Sequence, residues 1–297
     1  MVTAYIHWNV DPEIINIFGL SLRYYGLLFV GGLMVCIYVL SRIFKQQGIP
    51  LEHLEKLSMY GVIGVFVGAR LGHCLFYDPV YYLTHIAEML LPIAPAQGGG
   101  YEFVGYQGLA SHGGAIGLII AIIVYSRKTK EPALKTIDMM GIVAPLAGFF
   151  IRMANLMNSE IIGRPADVPW AFVFHRIDEI PRHPGQLYEA LCYITFFGVM
   201  MLIYKKRWAK FQTGIFFGTS ITLIFTARFF IEFLKERQES WEESMRFDMG
   251  QWLSVPFILV GIGFIVWGIY RTKKGFIPHK TVAQPTPSRQ SRRKAKR

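Results

Sequence analysis

The chain has 297 residues, 53% hydrophobic and 17% charged, with a mean hydropathy of +0.34. So few charges, set among recurring apolar runs near twenty residues long, exclude a soluble globular domain and give a polytopic membrane protein. The net charge of +11 does not imply nucleic acid: ten Lys and Arg with no acid follow from Arg271 onward, which leaves +1 for the rest.

The hydropathy pattern predicts an all-α integral membrane fold of seven transmembrane helices, at 18–41, 56–77, 108–126, 137–158, 186–204, 212–234 and 250–270. The N-terminus has neither a basic n-region nor a small-residue cleavage site, so no removable signal peptide is expected. Span one opens with Arg23, Tyr24 and Tyr25. Span two carries Gly61, Gly64, Gly68 and Gly72 at a spacing that lets a neighbouring helix approach closely, with Arg70 and His73 near its end. Segment 85–95 (HIAEMLLPIAP) is too short to cross and contains prolines, which suits a short arm at the interface. Gly98, Gly99 and Gly100 then form a turned link. Span three begins at Ser111-His112-Gly113-Gly114, and span five begins with Gln186, Tyr188 and Glu189. Span six places Arg228 and Glu232 one turn apart. Cys36, Cys74 and Cys192 lie in apolar runs and act as small hydrophobes, so no disulfide framework is expected. Residues 1–271 form one seven-helix transmembrane domain in this reading. The basic tail 272–297 is expected to be a disordered cytoplasmic segment that meets anionic membrane lipids, not nucleic acid.

Positive charge fixes an orientation. Arg42, Lys45 and Lys56 follow span one, Arg127, Lys128, Lys130 and Lys135 follow span three, and Lys205, Lys206, Arg207 and Lys210 follow span five. Segment 78–107 has no Lys or Arg, and 159–185 and 235–248 mix both signs. The N-terminus therefore lies outside and the C-terminus in the cytoplasm, with short extracytoplasmic arm and head segments. In this orientation the costly polar residues fall in the outer part of the membrane. Foremost is 147–164 (AGFFIRMANLMNSEIIGR), where Arg152, Asn155 and Ser159 share a helical face. An arginine at the centre of a membrane helix costs roughly 2.5–3.5 kcal/mol even on a lenient scale, so Arg152 must face protein or water. A pocket with several arginines and few acids suits the phosphate of a lipid headgroup, and His112 is the side-chain type there suited to proton transfer near neutrality. Snorkelling arginines, an intramembrane Arg228–Glu232 pair and interhelical asparagine bonds are the structural readings of the same residues. No HExxH, paired CxxC, GxSxG or P-loop occurs, so neither metal nor cofactor is expected.

The run R-M-A-N-L-M-N-S-E-I-I-G at 152–163 resembles the signature R-x-[GA]-N-x-x-N-x-E-x-x-G of the prolipoprotein diacylglyceryl transferases. Three further stretches agree in content and order, HGGAIG from His112, RHPGQLYE from Arg182 and MGQWLS from Met249, and Tyr24-Tyr25-Gly26 near the start also fits. So does GARLG from Gly68. The resemblance implies an enzyme of the bacterial inner membrane with its active site toward the extracytoplasmic side. It would transfer the diacylglyceryl group of phosphatidylglycerol to the lipobox cysteine of a prolipoprotein signal peptide, releasing glycerol phosphate. Arg152 and Arg228 would hold the phosphate, His112 would draw the thiol proton unless an arginine assists instead, and Tyr25 would orient the lipid. Asn155, Asn158, Glu160, Gly163, Gly113, Gly114, Arg70, Gln186 and Tyr188 would line the substrate site, with Glu232 holding Arg228. This chain departs from the pattern at Ile224, where family members often carry tyrosine, and in a short 159–185 connector. A transporter or flippase of an anionic lipid or solute is the rival class. It calls for polar residues through the inner halves of the spans and for repeats, and the sequence has neither.

Overall fold

A computed structural model describes residues 5–17, 20–96, 99–103, 108–207, 212–237 and 247–276. The end of the basic tail, Gly98 of the turned link and Lys210 lie outside them. The long helices are α1 (Tyr24–Gln46), α2 (Leu51–Tyr77), α5 (Ser111–Thr129), α6 (Ala133–Met157), α7 (Gly185–Arg207), α8 (Ile215–Glu232) and α9 (Met249–Lys273), with α3 (Pro79–Thr84) and α4 (Ile86–Leu90) short. Among the described residues six helices are long and apolar enough to cross a membrane, namely α1, α2, α6, α7, α8 and α9. The third expected span coincides with α5, a helix of 19 residues. Large apolar side chains stand exposed along these helices (Met34, Phe76, Leu259 and Val266), while Glu189, Gln186, Asp138 and Gln251 are buried. That inversion of the soluble pattern fits an integral membrane protein.

The chain falls into two compact units, the described parts of Met1–Ile43 with Ile137–His279 and of Phe44–Thr136 with Lys280–Arg297. In the first, α8 packs on α9 and α7. Gly218 lies so close to α9 that a methyl group there would meet the Gly261 carbonyl. The Asp138 carboxylate of α6 caps α8, accepting from Gly214 N (2.9 Å) and Phe217 N (3.1 Å). Asp248 and Gln251 close a capping box at the start of α9.

Strands that hydropathy did not predict cover part of this unit. β1 (Ile6–Trp8) runs parallel to β6 (Phe172–Phe174), which pairs antiparallel with β7 (Pro181–Arg182). Trp8 bonds the Leu156 carbonyl through Nε1 at 3.1 Å and packs on Leu156, Ile162, Phe172 and Phe174. β2 (Glu13–Ile17) and β3 (Leu20–Arg23) form a hairpin just before α1. The span expected from residue 18 therefore begins at Tyr24, because a short apolar run reads alike as strand or helix.

In the second unit α2 packs along α5 over glycines. Methyl groups at Gly64, Gly68 or Gly72 would run into the backbone of Gly117 and Gly113, so the ridge in span two is a helix-packing surface. Segment 85–95 holds α4 and β4 (Ile93–Pro95), which pairs with β5 (Tyr101–Phe103), and α3 joins α4 in a short arm that starts before that segment. Asp78 starts α3, accepting from Tyr81 N, with Pro79 in the first turn.

Candidate functional site

The first unit gathers its buried charge around Arg152 on α6. Its Nε pairs with Glu189 Oε2 of α7 at 2.5 Å, and Nη1 donates to Asn155 Oδ1 at 3.0 Å. Tyr193 of α7 stands beside it, within reach of the charges of both Arg152 and Arg228. These partners do not exhaust the five N–H donors of a guanidinium. Asn155 passes the bond on, donating to Glu160 Oε2 at 3.0 Å, and Asn158 donates to Glu160 Oε1 at 2.8 Å. Glu160 is folded back onto the helix end by a turn in which Ser159 (φ 56°) and Ile161 (φ 57°) are left-handed. For a β-branched isoleucine this is an outlier, with a strain of about 1–3 kcal/mol that the surrounding contacts must offset.

Glu189 is fully buried and has a second cation, Lys235, whose Nζ lies 3.0 Å from Glu189 Oε1 and 3.0 Å from Glu232 Oε2. The series Arg152, Glu189, Lys235, Glu232 thus alternates in sign from α6 through α7 to the end of α8. A buried ion is tolerated only when paired in this way. The Lys235 carbonyl accepts from Arg164 Nε at 2.8 Å, and Asp248 pairs with Arg164 and Arg237.

Gly163 lies where three backbones meet. Its N–H donates to the His183 carbonyl at 2.9 Å, and a side chain there would strike that carbonyl and that of Leu234. Gln186 is buried and donates through Nε2 to the Glu160 carbonyl at 2.5 Å. Its Oε1, Asn158 Oδ1 and Ser159 Oγ are buried without a partner among the described residues. Tyr188 joins Trp170 (2.8 Å) and His183 (3.0 Å) instead of the arginines. Tyr25 and Arg228 are half-buried, and neither side chain has a hydrogen bond or ion pair among the described residues. In the adjoining loop, hydrogen bonding to Arg182 holds the Asp178 carboxyl below its usual range, and burial pushes the His183 imidazole down.

The second unit holds the other expected residues. His112 is exposed, at the second position of α5. Gly113 is buried with its α-carbon against Gly68 and Gly72, and Gly114 faces Ala69 and Val65 at ordinary contact distance. Both glycines are thus used in packing α5 on α2. Arg70 is buried and donates to the carbonyls of Glu88 (2.5 Å), Met89 (3.1 Å) and Gly108 (3.4 Å), with its guanidinium 5.2 Å from the Tyr82 ring centroid. Tyr81 donates to Glu88 Oε2 at 2.5 Å, and its phenol is pushed up to about 12, first by that bond.

Two expectations change. Glu232 pairs with Lys235, not with Arg228: α8 ends at Glu232, and the chain turns so that Lys235 lies between two carboxylates. The arginines also do not stand with few acids, since Glu160, Glu189, Glu232 and Asp248 interleave with them. Glu189, Lys235 and Tyr193 were missed as site residues. Glu189 and Tyr193 lie one turn apart on α7, a spacing that could have flagged them as one face. Lys235 had been read as part of a connector. Tyr193 places a phenol from α7 near Arg152 and Arg228, whereas Ile224 of α8 has none.

The family model described as "Prolipoprotein diacylglyceryl transferase" matches residues 12–267. A protein of Bacteroides fragilis named phosphatidylglycerol--prolipoprotein diacylglyceryl transferase is 52% identical over 269 residues, covering 91% of this chain and 96% of the relative. Proteins of the same name from Tolumonas auensis and Chloroherpeton thalassium are 43% identical over 258 residues and 40% identical over 262. They cover 86% and 88% of this chain, and 95% and 93% of the relatives.

Proposed function

The chain belongs to the prolipoprotein diacylglyceryl transferase family, and on that footing we propose that it transfers the diacylglyceryl group of phosphatidylglycerol to the lipobox cysteine of a prolipoprotein signal peptide. A carbon–sulfur bond forms as the carbon–oxygen bond to the phosphate breaks. The electron pair leaves with the phosphate oxygen, glycerol phosphate is released, and the thiol proton passes to a base. The product is a thioether, and the reaction is the first step of lipoprotein maturation.

The observation that carries this reading is Arg152, oriented by Glu189, Asn155 and Tyr193 with donors to spare. Arg152 and Arg228 bind the lipid phosphate and stabilise the charge that grows on it as the bond breaks. The fixed partners of Arg152 spare the reorganisation that a free arginine would need. Gln186 Oε1 and Asn158 Oδ1 are acceptors, which a phosphate cannot satisfy but the hydroxyls of a glycerol headgroup can. Gly163 keeps the strand of backbone beside them free of side chains, and Tyr25 orients the lipid. His112 takes the thiol proton, whose ordinary pKa near 8.5 is lowered by positive charge. Seven spans, with the N-terminus outside and the C-terminus in the cytoplasm of the bacterial inner membrane, open the site to the extracytoplasmic side.

Purified protein incubated with phosphatidylglycerol and a lipobox peptide is expected to give the thioether-linked peptide. Arg152→Ala is expected to reduce turnover by at least ~100-fold, as loss of a preorganised charge-stabilising group does. No product from the wild type, or undiminished product from the variant, overturns the reading.

A further inference from the structure

We propose that Arg70 is a positioning residue, a clamp that ties the α3–α4 arm to the start of the helix carrying His112, and not a ligand of the lipid phosphate. The inference rests on the diacylglyceryl-transfer reading for its effect on rate, but the clamp itself stands on geometry within one compact unit.

Arg70 departs from Arg152 in what it holds. Arg152 is anchored by a carboxylate and an amide, which leave its charge directed and partly free. Arg70 spends its fork on backbone carbonyls from two separate segments. Nη2 and Nε bond Glu88 O and Met89 O at the end of the arm, and Nη1 reaches Gly108 O, four residues before His112. A planar guanidinium can serve carbonyls in several directions at once, and an ammonium cannot reproduce that fork.

Each side of the clamp is independently fastened to the same turn of α2. On the arm side, Tyr82 lies under the Arg70 guanidinium and edge-on to the His73 ring. On the other side, Ala110 N donates to the Ala69 carbonyl at 2.9 Å. Gly108, at φ 74°, is pressed so near the His73 ring that a β-carbon would collide with it. Ala69, Arg70 and His73 thus grip 108–110 from one face, and α5 starts at the next residue. The first turn of α5 is then locked by Gly113 against Gly68 and Gly72. These bonds and contacts link Arg70 to the backbone just before His112. A shift of the arm is transmitted to Gly108 through the Arg70 guanidinium and through the Tyr82–His73 contact beside it.

Two substitutions separate a clamp from a phosphate ligand. Arg70→Lys keeps the charge and loses the fork, and Arg70→Gln keeps an amide donor and loses the charge. In both, kcat is expected to fall about ten- to a hundredfold with KM for phosphatidylglycerol changed by less than about twofold, the pattern of a misplaced catalytic group. Hydrogen exchange of the arm amides at 79–90 is expected to rise in both variants without any substrate present, while α8 and α9 stay as in the wild type. Gly108→Ala, which pushes on the clamp from the other side, is expected to give the same rate and exchange pattern. Near-normal kcat in Arg70→Lys together with a raised KM in Arg70→Gln would mark a phosphate ligand and overturn the proposal. Unchanged arm exchange in both variants would overturn it as well. A wild type that makes no thioether product sinks the transferase reading alone, since the exchange experiment still tests the clamp.

Discussion

Glu189 is the residue on which the first unit's buried charges depend. It has no exposed surface, and its two oxygens face Arg152 and Lys235, so removing its charge leaves two cations competing for the remaining acids. Breaking one member of a buried ion pair typically costs roughly 3–5 kcal/mol, because the survivor stays desolvated and unpaired. Glu189→Gln is therefore expected to lower the melting temperature in detergent and to cut turnover as Arg152 loses its fixed direction. A variant with wild-type melting temperature and rate would show that Arg152 is held by Asn155 and Tyr193 alone. The sequence pointed to Arg152, Asn155, Asn158 and Glu160 because five polar residues, Ser159 among them, in nine positions of an apolar run are costly there. It could not point to Lys235, which reads as connector charge until the end of α8 turns it inward.

At the scale of elements, helix existence was legible and the covering strands were not. Periodic apolar runs with basic ends placed the seven long helices. β1, β6 and β7 are two or three residues each, too short to carry an alternating pattern. The loop that leads from the Arg152 turn to α7 has its own titration. Asp178 is held below its usual value by Arg182, so its stabilising contribution is complete above that usual value and is lost as pH falls through the depressed one. His183 is pushed down by burial, and the sign is the same: below the ordinary imidazole value the unfolded loop takes up a proton first, and stability declines toward the depressed value. Acidification is thus expected to loosen 164–184 in two stages, from about pH 6.5 and again below about pH 3.9. Hydrogen exchange of that loop, corrected for intrinsic rates, checks this; protection that is flat between pH 7.5 and pH 5 would remove His183 from the account.

For the whole molecule, the count of spans has a simple consequence. Seven crossings put the termini on opposite sides of the membrane, whereas six would put them on the same side. A cysteine placed near the N-terminus is expected to react with an impermeant thiol reagent added outside intact cells, with a fluorescent reporter at the C-terminus lit in the cytoplasm. Both ends on one side would leave α5 outside the set of spans. What the sequence determined by itself is the class of protein, the helices and the family. Hydropathy, charge bias and a spaced motif are all local along the chain, and each can be read without knowing what touches what. What only the tertiary structure decided is partnership. Arg70 and Arg152 look alike in the sequence, each an arginine in a membrane helix, yet one bonds carbonyls of an arm and the other a buried carboxylate. Those partners lie 18 to 37 residues away along the chain, and no periodicity encodes them. Burial then makes the difference decisive, because a charge out of water takes its role from the few groups within reach.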